Sequence, residues 1–85
     1  MDEMIKLLDG TEILSAHVLE SDGALWFYVQ NGMTMAEVFA VMNDPAKTGS
    51  ITALRFHETT VYSGYTDLHS IRKDGGQISG CLRKA

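Results

Sequence analysis

Apolar and polar residues alternate along most of this chain, and one helical stretch interrupts the alternation in the middle. In Met35, Val38, Phe39 and Met42 the apolar spacing becomes i, i+3, i+4, i+7, which predicts a helix with these four side chains on one face. Thr34 followed by Glu37 has the form of a capping box, each side chain serving the other's backbone N–H. Pro45 lacks an N–H and disfavours helical geometry at Asp44, so the helix is expected to stop near Asn43.

On either side the pattern has period two, the signature of half-buried strands. Before the helix it predicts Ile5–Leu8, a strand from Thr11 that continues to Leu19, and Ala24–Val29, separated by Asp9-Gly10 and Asp22-Gly23. Asp-Gly between apolar runs signals a hairpin, because both residues tolerate positive φ. After the helix it predicts Ile51–His57, Val61–Thr66 and Gln77–Arg83, with turns at Glu58–Thr60 and Asp74–Gly76. The phase changes between Tyr62, Leu68 and Ile71, so a bulge or break is expected within 64–70. Gly80 leaves space between Ile78 and Leu82, for the helix or for an aromatic ring. The expectation is α+β: a strongly bent antiparallel sheet or small open barrel of five to six strands with one central helix, βββ-α-βββ.

Eighty-five residues make one expected domain, 1–85. Apolar residues at 45% and charged residues at 21% exclude a disordered composition. The apolar runs fall short of a membrane span, and the opening residues lack the pattern of a secretory signal. Cys81 is the only cysteine, which excludes an internal disulfide and fits a reducing compartment. Net charge is −4, which disfavours nucleic acid and anionic membrane as partners. Residues 1–44 set eight acids against Lys6 alone, whereas residues 45–85 set six bases against three acids. Either the two halves intermix in one sheet, or the surface is bipolar and suits self-association.

Chemistry is sparse. His17, His57 and His69 have no spacing that sets two on one face, so no metal or other cofactor is expected. Nothing beside Cys81 activates a thiolate, and no nucleophile, base and orienting group can be assembled, so the chain is not expected to be an enzyme. The aromatic residues form the one constellation. With Leu25, Phe27 and Val29 inward, Trp26 and Tyr28 point outward; with Leu54 and Phe56 inward, so do Arg55 and His57. Such residue types are enriched in binding hot spots, and Tyr62, Tyr65, Arg72 and Lys73 complete the candidate set. The competing reading puts Trp26 or Tyr28 into a second small core. A protein partner, through this face or through the Met-rich helix, and a homo-oligomer are expected. A nucleotide is the alternative, its base between aromatic rings and its phosphate on Arg72, Lys73 or Arg55.

Tyr62–Leu82, with Ile5–Thr11, resembles small accessory proteins of Firmicutes phages and prophages. In these, a Lys-Leu-x-Asp-Gly-Thr-like start, a central helix and a Gly-Tyr-Thr segment before the final hairpin recur, as in Lys6–Thr11 and Gly64–Thr66 here. The likeness covers about half the chain, and Gly80-Cys81 stands where β-branched residues are expected. It implies a binding or assembly module, often sited among tail genes and found in the host cytoplasm or on the virion. A small counter-defence inhibitor, acting on a host enzyme or its nucleotide signal, is the other implied role.

Overall fold

The computed structural model describes residues 3–85. Its strands are β1 (Met4–Leu7), β2 (Glu12–Leu14), β3 (Ala16–Ser21), β4 (Ala24–Val29), β5 (Ser50–Arg55), β6 (Glu58–Ser63), β7 (Asp67–Asp74) and β8 (Gln77–Arg83). Between β4 and β5 lie α1 (Met35–Met42) and the single turn α2 (Pro45–Thr48). The strands form two four-stranded antiparallel sheets, ordered β2-β1-β5-β6 and β3-β4-β8-β7. The α+β class holds. The single bent sheet of five to six strands with one helix is replaced by two sheets, eight strands and a second short helix.

Each difference has a local cause. The predicted strand from Thr11 to Leu19 breaks at Ser15, whose φ of 51° lies in the left-handed region, and there the chain crosses between sheets. The break reverses facing, so Leu14 is exposed while Ala16 is buried. Strand β5 ends at Arg55, two residues earlier than predicted, because Phe56 takes a φ of 55° and the hairpin turns on Phe56-His57. Phe56, expected inward, therefore stands at the hairpin tip. Gly64, with a φ of 85°, begins the third crossing between sheets, after those at Ser15 and through the helices. Beyond it, β7 is the strand the sequence pattern did not yield, and its bulge between Leu68 and Ser70 falls within the expected 64–70 window. Pro45 does not end helical structure altogether. It opens α2, with the Asp44 carboxylate accepting from the Ala46 N–H at 3.0 Å.

The first helix carries the predicted capping box. Glu37 N–H donates to Thr34 Oγ1 at 3.1 Å, and Thr34 N–H donates to Glu37 Oε1 at 2.9 Å. The second bond also holds the Glu37 carboxyl below its usual range. Thr34→Ala is expected to lower unfolding free energy by about 1 kcal/mol, read from a urea titration. The buried stripe is turned from the predicted one: Val38 and Met42 enter the core with Met35 and Val41 beside them, and Phe39 is exposed.

Val38 and Met42 join Ile5, Leu7, Leu25, Phe27, Ile51, Ile78 and Leu82 in one core cluster between the sheets. Acids of the first half meet bases of the second. Lys47 Nζ lies 2.8 Å from Asp9 Oδ2, and Arg55 Nε lies 3.5 Å from Glu3 Oε1, so the halves intermix rather than segregate. The Lys47 ammonium holds the Asp9 carboxyl well below the usual carboxylate range, helped by the Thr11 N–H. Asp9 itself does not adopt positive φ; its Oδ1 accepts from Thr11 N–H at 2.9 Å and closes the first turn that way. The Asp22-Gly23 turn does have both residues at positive φ, 52° and 75°, as a two-residue hairpin requires.

Candidate functional site

In β4 burial alternates as the residue types predict: Leu25, Phe27 and Val29 are buried, Trp26 is exposed and Tyr28 half-buried. Directly opposite residues of an antiparallel pair share a face. The registers therefore set two rows across the outer face of the second sheet. One runs Leu19, Trp26, Cys81, Ser70; the next runs His17, Tyr28, Ser79, Arg72.

These rows form an open groove of about 510 Å³ lined by Trp26, Tyr28, Ser70, Arg72, Ser79 and Gly80. Small residues on β8 make its floor and larger ones its walls. Trp26 is 39% exposed and Leu19, beside it, 56%. Cys81 shares their face yet is 1% exposed, and Ser70 Oγ lies 3.6 Å from its sulfur. Its thiol is a covered apolar filler between Trp26 and Ser70. Tyr28 is fixed from the other side, where the His17 ring stacks on it at 4.7 Å between centroids and 18° between planes. His17 Nδ1 in turn lies 3.5 Å from Glu3 Oε2.

Gly80 lies behind the groove floor, with its missing side chain on the core side. A Cβ there would lie 2.2 Å from the Ser70 carbonyl oxygen, 2.6 Å from Phe27 Cζ and 3.0 Å from Ile71 Cα. The missing side chain admits the Phe27 ring on the core side and lets β7 approach at its bulge. The ring that the Gly80 gap was expected to receive is thus Phe27.

Among the candidate residues, Trp26, Tyr28 and Arg72 come together. Among the described residues Arg72 reaches only Asp74, at 3.8 Å, and both side chains are about three-quarters exposed, so this pair holds the guanidinium weakly. Lys73 lies opposite the core residue Ile78 in the register and so sits on the other face from the groove. Arg55 belongs to the first sheet, where it pairs with Glu3 and lies over the Phe56 ring at 5.7 Å. His57 is in the β5–β6 turn. Tyr62 packs half-buried against the core. Tyr65 is within the core at 3% exposure, its hydroxyl donating to the Glu20 carboxylate, which raises its pKa, and Lys84 lies over its ring at 5.3 Å.

Two members of the face were missed in the sequence: His17 and Leu19. Period two from Ala16 puts both outward whether or not the strand breaks at Ser15; the signal that could have found them is the two-residue Asp22-Gly23 turn, which sets Leu19 opposite Trp26 and His17 opposite Tyr28. Among the described residues no group of three or more His, Cys, Asp or Glu is placed to hold a metal ion. No helix among them is long and apolar enough to cross a membrane. No protein family, curated protein or solved structure matches the chain.

Proposed function

We propose that this chain is a non-enzymatic protein-binding module whose contact surface is the outer face of the β3-β4-β8-β7 sheet. The observation that carries the reading is the continuous exposed row of Leu19 and Trp26 beside Tyr28 and a nearly free Arg72. An indole, a phenol and a guanidinium at the rim of one groove are the anchors that dominate protein interfaces. The rows are held by paired strands rather than loops, so the ordering cost of binding is small. The resemblance of 62–82 and 5–11 to phage accessory proteins favours an assembly role, among tail components, over a metabolic one. The test is partner affinity of wild type against Trp26→Ala, with thermal melting run in parallel.

One observation favours a second reading. Trp26, Tyr28 and Arg72 line the same groove, which is also the arrangement that holds a base by its ring and its phosphate by a guanidinium. Calorimetric titration with nucleotides separates the two. A counter-defence role through nucleotide capture predicts that Arg72→Ala weakens binding at least about tenfold, because the charge-assisted hydrogen bond to phosphate disappears. Lys73→Ala, on the other face, is expected to leave that affinity unchanged. No heat from wild type at millimolar nucleotide would remove this reading and leave the protein-binding one standing.

A further inference from the structure

A sheet edge exposes unpaired backbone groups, and proteins ordinarily blunt it with brevity, charge, a bulge or a covering element. Three of the four edges here are treated so. The β2 edge is three residues long. The β7 edge carries a bulge and the charges of Arg72 and Lys73, and α1 packs near it. The β3 edge carries His17 and Glu20 and lies close to β1 and β5 of the other sheet. The fourth edge is the least protected, its one charge, Glu58, standing at the hairpin end. β6 runs six residues, pairs only with β5 among the described residues, and from Thr59 to Ser63 has no charge, proline or bulge.

We infer that β6 is a self-association edge, and that its occupant is β6 of a second copy of this chain, paired antiparallel about a twofold axis at Val61. Facing limits the axis to a residue position, and Val61 is the middle of the uncharged stretch Thr59–Ser63. An antiparallel twofold pairing that keeps like faces together must join residues of the same side. Centred on Val61, it sets Val61 against Val61 of the second copy, Thr60 against Tyr62 and Thr59 against Ser63. No charge meets its like, so the strand is complementary to itself although each chain carries −4. Val61 is 57% exposed on the outer face of the first sheet, in line with Thr52 and Lys6, and the pairing would cover it. The result is one continuous eight-stranded sheet. The groove beside Trp26 lies on the other sheet of each copy and stays open.

A six-residue strand is about 20 Å long, so the contact is at the small end of specific interfaces, and micromolar association is expected. Sedimentation equilibrium from about 5 µM to about 1 mM should show the mass rising from 9.4 kDa toward twice that value. Val61→Lys should need at least about tenfold more protein to reach the same mass, because the Val61 pair is lost and two lysines would face each other across the axis. That variant reduces the net negative charge, so its weaker association cannot come from general repulsion. Thr59→Lys, at a second exposed position of the same strand, gives an independent reading with circular dichroism checking the fold. Leu14→Lys, exposed on the far strand of the same sheet, should dimerise like wild type. A wild type that stays monomeric at the highest concentration would overturn the inference. So would lysine variants at 59 and 61 that dimerise normally, or a Leu14→Lys that does not.

Discussion

Gly80→Ala is expected to cost about 3 kcal/mol of folding free energy, the upper range for inserting a single methyl into a packed interior. Two of the three atoms within 3.0 Å of the new Cβ are backbone, the Ser70 carbonyl oxygen and Ile71 Cα, and cannot rotate away. Only the Phe27 ring could yield, and it is fully buried. The strand pair β7–β8 must then part at its bulge, which also widens the floor of the groove. A domain of this size has little stability in reserve, so a fall of roughly 15 °C in melting temperature is expected. Adding Phe27→Leu should not restore it, because the clash with the Ser70 carbonyl remains. A Gly80→Ala protein that melts within a few degrees of wild type would show that β7 is free to move.

Trp26→Ala is expected to do the opposite: a small change in stability and a large one in binding. With 39% of its surface exposed and Cys81 opposite it on β8, the indole contributes some burial, and its loss should cost about 1 kcal/mol. At a hot spot the same truncation removes about 2 kcal/mol or more of binding energy, roughly a 30-fold loss of affinity. The ratio of the two effects is the diagnostic. If Trp26 belonged to a second small core, melting would fall steeply and binding would fail only because the fold fails. A matched pair of melting curves and binding isotherms separates these outcomes.

Much of the architecture was legible because it rests on local chemistry. The capping box at Thr34 and Glu37, the end of α1 at Asn43, and the alternation that turns Trp26 outward each depend on residues within a few positions of one another. What was not legible depends on backbone angles that side chains only permit. Ser15 and Phe56 adopt positive φ without being Gly, Asn or Asp, the residues that ordinarily announce it. Ser15 decides the first sheet crossing and splits one expected strand into two, and Phe56 decides where β5 ends and leaves His57 in a turn. The presence of β7 was hidden for another reason, its bulge shifting the period in mid-strand so that Leu68 and Ile71 fall out of phase. Trp26, Tyr28 and Arg72 were named as candidates from the sequence; His17 and Leu19 were not, although the Asp22-Gly23 turn sets them opposite Tyr28 and Trp26, whereas the approach of Arg72 to this face depends on the β7–β8 register.

Native mass spectrometry of wild type and Trp26→Ala, each mixed with host extract, tests the binding face most directly. A binding face centred on Trp26 predicts a defined protein mass added to wild type and no such addition to a folded Trp26→Ala. The same mass carried equally by both proteins would contradict it, as would an added mass of nucleotide size alone.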